Sequence, residues 1–147
     1  AVVEMSRRHI GALIAFERST GLRSYAETGT ILRAQLQHDL LLTIFYGQNP
    51  LHDGAVIVRN ELIEAARCIL PVTQRVNIDP NLGLRHRSAL GLAEQTDAFI
   101  VVVSEETGQV SIGWNGQLTR DVTEEQLRAY LSEALGATRE EATPVEL

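Results

Sequence analysis

Apolar positions along the chain change their spacing several times, and each change marks an element. His9–Glu17 (HIGALIAFE) is almost continuously apolar at its centre and predicts a buried strand, with turn residues following in RSTGL. Between Ile31 and Gly47 apolar residues stand at Leu36, Leu40, Leu41, Ile44 and Phe45; this stripe predicts a helix, with Gly47 placed to end it. Ala55–Arg59 and Leu62–Leu70 are β-rich runs, and Asn60-Glu61 between them predicts a tight hairpin without the usual Asn-Gly. Pro71–Leu84 carries Pro, Asn, Asp and Gly and reads as a loop, followed by a helix over Arg85–Thr96. Ala98–Ser104 has the β-branched character of a strand covered on both faces, EETGQ makes a turn, and Val110–Trp114 returns as another strand. Thr123 and Gln126 form a capping box before a last helix, whose core stripe is Leu127, Tyr130, Leu131, Ala134 and Leu135. The polar tail, 137–147, is expected to fray.

Strands interleaved with helices predict an α/β fold: a single domain over 1–147 with a central mixed β-sheet flanked by helices. A chain of 147 residues is long enough to bury about two-thirds of its unfolded surface, and 44% hydrophobic with 22% charged is an ordinary globular composition. No stretch approaches the roughly 18 consecutive apolar residues of a membrane span, and the opening AVVEMSRRHIG lacks the apolar region of a signal peptide. Because the chain opens on Ala rather than Met, it is expected to be a fragment or a processed product whose upstream segments could have crossed a membrane. A net charge of −6 disfavours broad binding to nucleic acid but leaves room for one small basic pocket. The lone Cys68 excludes an intrachain disulfide and a Cys-rich zinc site, and fits a reducing, cytoplasmic setting.

Three polar stretches exceed what a fold needs. In LHDGA, Asp53 suits a hard divalent cation, His52 can join or orient it, and Gly54 and Ala55 let a ligand approach the backbone; the plainer alternative is an Asp-Gly turn. In RHRSA, Arg85, His86 and Arg87 cluster at a helix start, where cations are disfavoured unless an anion is bound; the alternative is a solvated basic turn. In SEETG, Glu105 or Glu106 could complete a cation site and Ser104 could donate to a phosphate or a base, or the stretch is simply a hairpin loop. His9 and His38 read as surface or boundary residues, Trp114 as core or edge packing, and Cys68 as a small core residue. Neither a P-loop nor a G-x-G-x-x-G fingerprint is present. Carboxylates for metal, cations for phosphate and small residues for a close-fitting ligand point to a nucleoside triphosphate and metal-assisted phosphoryl or nucleotidyl transfer.

PLHDGAVIV, LGLRHRSALGLAEQTDA and VVVSEETG, in this order, resemble the diadenylate cyclase domain from about Arg7 to Leu118. HIGALIAFERSTGL and LLTIFYGQNPLHDGA also read like that family, and the single-domain form is most similar to its membrane-anchored type. The resemblance implies condensation of two ATP into cyclic di-AMP and two pyrophosphates, across two subunits whose sites face each other. It implies a divalent metal, Mn²⁺ or Mg²⁺, held by Asp53, His52 and a third ligand, Glu106 or else Glu105, with Asp53 helping to activate the 3′-hydroxyl. Gly54, Ala55, Leu70, Leu84, Ser104 and Glu105 would border the nucleotide, with Leu70 at the position whose backbone meets adenine. Arg85, His86 and Arg87 match the phosphate-binding motif. Leu84 departs from the pattern, because many relatives have Thr or another small residue there, and a hydroxyl contact would be lost. The intact protein is expected to be anchored to the cell membrane by N-terminal helices absent here, with no nucleic acid as partner. The competing readings are a non-catalytic module that binds nucleotide or cyclic dinucleotide, which would not need Asp53, and a metal-dependent nucleotide hydrolase.

Overall fold

Strands that are apolar on both faces cannot lie at a surface, and two runs of the chain have this character throughout. β1 (Ala12–Phe16) and β5 (Phe99–Val103) are buried at every residue, and β3 (Ala55–Arg59) and β6 (Val110–Trp114) at all but the last. The computed structural model, which describes residues 1–136, places these four inside a seven-stranded sheet of order β2-β4-β3-β1-β5-β6-β7. β4 is Leu62–Cys68, and the edge strands are β2 (Thr30–Gln35) and β7 (Gln117–Thr119). Only β1 and β3 run parallel; the other pairings are antiparallel. The sheet is mixed, as expected. The tail at 137–147 lies outside the described residues.

Alternation along the strands sends side chains to two cores. Ile14, Phe16, Val56, Phe99 and Val101 face one layer of helices, namely α1 (Val2–Arg7), α3 (His38–Phe45) and α5 (Glu124–Leu135). Leu13, Ala15, Ile57, Ile100 and Val102 face the other, α2 (Arg23–Ala26) and α4 (Leu84–Gln95). The expected capping box is present: Thr123 Oγ1 accepts from Gln126 N–H, and the Gln126 side chain accepts from Thr123 N–H. Trp114 packs edge-on between Phe99 and Tyr130, and Cys68 is buried, so both are packing residues as read.

The helix expected over Ile31–Gly47 is only half right. Residues 30–35 form β2, paired with β4, and the helix begins at His38. The apolar residues that suggested a helix were Leu36 and those beyond it, and all but Leu36 lie in α3. Before them Leu32, Ala34 and Leu36 alternate, and Leu32 and Leu36 pack against the core. Helix propensity separates ordinary residues by at most about 0.7 kcal/mol, whereas two half-buried leucines together contribute about as much as one fully buried, about 1.5–3 kcal/mol; packing and pairing with β4 therefore decide. α1, α2 and β7 are short elements that the pattern did not announce. The Asn60-Glu61 hairpin is present with both residues at positive φ, 51° and 62°. Asn115-Gly116, at 55° and 73°, makes a second such turn, leading into β7.

α4 lies close to its surroundings because it carries glycine where a side chain would collide. A β-carbon on Gly91 would overlap the Pro71 carbonyl and approach the Thr73 nitrogen to 2.8 Å. The segment after β4 thus rests directly on the helix, tied by Thr73 N–H to Arg87 O at 3.0 Å and by the Thr73 hydroxyl to Glu94. Gly91→Ala is expected to destabilise the domain by about 1–3 kcal/mol through overpacking, read as a lower urea midpoint at unchanged slope.

Candidate functional site

Strand register decides where chemistry can gather. Ile14 pairs with Val56 in the parallel β1–β3 pair, Ala12 lies opposite Val103, and Ala55 lies opposite Cys68. The beginnings of β1 and β3 and the ends of β4 and β5 therefore share one edge of the sheet. A cavity of about 690 Å³ opens there, bounded by the first turn of α4, and its size suits a small organic ligand. Leu13, Cys68, Leu70, Val72 and Leu82 form apolar wall, and Asp53, Arg85, His86, Ser104, Glu105, Glu106 and Arg120 supply polar groups. Burial pushes the Cys68 thiol up to about 11, so it is an inert part of that wall.

Asn49 builds the loop before β3. Its amide nitrogen donates to the carbonyls of Thr43, Ile44 and Tyr46 around the end of α3, at 3.1, 3.0 and 2.8 Å. Its side-chain oxygen accepts from Leu51 N–H at 2.7 Å, and its backbone carbonyl accepts from His52 Nδ1 at 2.7 Å. A carbonyl can only accept, so Nδ1 is the donor, which in a neutral imidazole leaves the lone pair on Nε2. That Nε2 lies 3.3 Å from Asp53 Oδ1. Two ligands sharing one ion at about 2.1 Å each lie about 3 Å apart when cis, so this pair has the spacing of neighbouring ligands. Asp53 is 81% exposed and stands at the rim. Gly54 follows at φ 80°, against the Cys68 carbonyl, where a β-carbon would come to 2.7 Å. Ala55 is buried, within β3 rather than in the cavity wall.

α4 starts after Gly83 without a side-chain cap, so the N–H groups of its first turn are left for a ligand or water. Arg85 is mostly buried, with Nη1 3.2 Å from Glu105 Oε1 and with a buried Nε that has no partner. His86 has its pKa lowered, first by burial and then by the positive charges of Arg120 and Arg85. Arg87 does not line the cavity. Its Nε donates to Leu82 O at 2.9 Å and its Nη2 to Pro80 O at 3.4 Å, holding the loop that enters α4. Leu84 lines the cavity and is 69% exposed.

After β5, Ser104 Oγ accepts from the N–H groups of Glu106 and Thr107, each at 3.2 Å, and keeps its own proton to donate. Glu106 borders the same cavity, yet among the described residues no three His, Cys, Asp or Glu side chains converge as a metal-binding group. His52 and Asp53 thus provide two adjacent donors, and Glu106 stands apart from them. Arg120 was missed by sequence reading. It lines the cavity and pairs with Asp79 at 2.9 Å, and Asp79 is held below the usual carboxylate range by Asn81 N–H and then by Arg120. A single arginine after β7 sits in no motif, so only its position in the fold discloses it.

Comparison with known proteins agrees with this fold. Residues 1–118 match the DAC family model, described as DisA bacterial checkpoint controller nucleotide-binding. The cyclic di-AMP synthase CdaA of Bacillus subtilis is 49% identical over 131 residues, 89% of this chain and 48% of that protein, so the chain spans about half the length of this relative. A crystal structure of a double mutant of DacA from Staphylococcus aureus superposes with a TM-score of 0.89 at 44% identity, covering 90% of this chain and 89% of that one. A hypothetical membrane spanning protein from Bacillus cereus superposes with a TM-score of 0.80 at 50% identity, covering 83% of this chain and 60% of that one. The chain belongs to the diadenylate cyclase (DAC) family.

Proposed function

We propose that this domain condenses two ATP into cyclic di-AMP and two pyrophosphates, with two copies of the chain facing each other and a divalent cation, Mn²⁺ or Mg²⁺, at each site. The observation that carries the reading is convergence: Asp53-Gly54, Arg85-His86 and Ser104–Glu106, far apart in sequence, border one cavity of about 690 Å³. Each ATP would place its adenine against the apolar wall at Leu70 and its phosphates toward the first turn of α4. The buried Nε–H of Arg85 lacks a partner and would donate to a phosphate oxygen, as would the Ser104 hydroxyl. The 3′-oxygen of one nucleotide attacks the α-phosphorus of the other, and the bond to the β-phosphate oxygen breaks, releasing pyrophosphate. The same exchange in the opposite sense closes the ring.

His52 and Asp53 would hold the cation. Two donors are too few for a closed site, which fits an ion that shares its remaining positions with phosphate oxygens and water. When bound, the cation would lower the pKa of the attacking hydroxyl and offset phosphate charge. Asp53 would guide the departing proton. Its exposure at the rim supports a reacting centre at the surface, open to the nucleotide of a facing copy. Among the described residues no helix is long and apolar enough to cross a membrane. Anchoring of the whole protein would reside in segments outside this chain, a reading supported by the likeness to a membrane spanning protein.

Incubation with ATP and Mn²⁺ or Mg²⁺, with products separated by chromatography and identified by mass, tests the reaction. Cyclic di-AMP with twice as much pyrophosphate, at a rate rising more steeply than linearly with protein, is expected. ATP bound but unconverted would favour a binding module instead, and ADP or AMP would favour a hydrolase. Asp53→Asn is expected to lower turnover by about 10²–10⁴-fold while leaving the thermal midpoint in place, since the side chain is exposed. Retained turnover would remove Asp53 from the metal and proton roles.

Because the pKa of folded His86 lies below its unfolded value of about 6.5, the unfolded chain binds a proton more readily. Its contribution to stability is complete above that value and is lost as pH falls toward the folded pKa. His86→Gln should therefore lose less stability than the parent between about pH 7.5 and 5.5, followed by thermal denaturation. Bound triphosphate should raise the His86 pKa, observable in the imidazole proton resonances.

A further inference from the structure

Gly11 precedes β1 at the edge of the sheet where the cavity lies, and it is buried. It is absent from the residues with positive φ, so its backbone does not need glycine. Its surroundings do. A β-carbon there would lie 2.6 Å from Arg85 Nη1, 2.7 Å from Cζ and 3.0 Å from Nη2. The guanidinium of Arg85 occupies the space where any other residue would carry its side chain. Gly91 differs, because the atoms nearest to its missing β-carbon are all backbone.

We propose that Gly11 is the positioning residue for Arg85. The guanidinium fills the space that a β-carbon at residue 11 would take, and this close approach sets the direction of its donors. In that pose Nη1 reaches Glu105 at 3.2 Å and Nε is buried without a protein partner. A methyl group at residue 11 must displace one neighbour, and the cheapest to move is the end of a flexible side chain rather than backbone. The guanidinium therefore moves and the fold stays. A planar fork holds a phosphate through fixed directions, so a small displacement costs binding and rate without costing structure. The consequence for catalysis rests on the reading of Arg85 as a phosphate ligand. The steric claim does not.

The test is a double-mutant cycle of Gly11→Ala and Arg85→Ala, followed by thermal midpoint, ATP affinity by calorimetry, cyclic di-AMP formation and the ¹⁵N resonance of Arg85 Nε. Gly11→Ala is expected to keep the parental midpoint, to shift the Nε resonance, and to lower ATP affinity and kcat/KM by about 10–100-fold. In the Arg85→Ala background the same substitution should change nothing further, because the atoms it collides with are gone. An unmoved Nε resonance with parental ATP affinity overturns the proposal. So do losses that simply add in the double variant, or a folding defect that persists when residue 85 is alanine. Should the parent form no cyclic di-AMP, the proposed reaction falls, while the Nε resonance and the ATP affinities still decide the role of Gly11.

Discussion

The register of four central strands is the constraint on which the site depends. β1 and β3 run parallel and start level, while β4 and β5 run against them and end at the same edge. The Asp53-Gly54 loop before β3, the wall from Cys68 to Leu70 and the Ser104 turn after β5 meet because backbone hydrogen bonds fix those starts and ends. A slip of one residue in β1 or β5 would turn each side chain to the opposite core. Two buried faces forbid that slip: Ile14 and Phe16 belong with the α3 and α5 layer, and Leu13 and Ala15 with α2 and α4. Hydrophobic patterning far from the cavity thus sets the accuracy with which the cavity is assembled.

Onto this edge the fold brings positive charge that the composition conceals. The chain carries 13 basic and 19 acidic residues, yet Arg85 and Arg120 both border the cavity and depress the pKa of His86, which burial has already lowered. Under the proposed reading, two arginines beside a histidine whose pKa they lower would receive the phosphates. Acidic side chains border the same cavity, namely Asp53, Glu105 and Glu106. Asp79 is engaged by Asn81 and Arg120, and Glu105 reaches a single Nη of Arg85, leaving the buried Nε of that side chain without a partner. The uncapped start of α4 adds to the same potential.

Most strands and both long helices were legible because they bury whole faces, and such burial writes a period into the sequence. β2 was not, since an edge strand half packed and half solvated alternates too weakly to interrupt the stripe of the helix that follows. β7 had an Asn-Gly turn in plain view at 115–116, but three residues are too short to show a period. For the candidate site, the motifs marked segments that border the cavity, while geometry separates the residues that line it from those that do not. Arg87 looks equivalent to Arg85 in Arg-His-Arg, yet its donors go to the Leu82 and Pro80 carbonyls and it supports the loop. Helical rotation of about 100° per residue separates the directions of neighbours, and a linear string cannot disclose which of two arginines the cavity receives. Asn49 is a related case: its work is to join the end of α3 to the loop of His52 and Asp53, a link between two elements that no local pattern encodes.

Under the proposed reaction a single copy would be incomplete, and its cation site would be incomplete as well. Two donors, His52 Nε2 and Asp53 Oδ1, are adjacent at 3.3 Å, but the described residues bring no third metal-binding side chain to them. A site of this kind gains its remaining ligands from what it binds, so cation and triphosphate would each strengthen the other's hold. Asp53 stands at the exposed rim, and Ile69, Val72 and Leu84 present apolar surface along the same cavity at 70%, 39% and 69% exposure. Apolar side chains left at a cavity mouth cost less when covered, and a nucleotide in each of two facing cavities would bring that cover together with the second reactant. The same exposure that leaves the lone site open to water would then be the feature that makes the paired site closed.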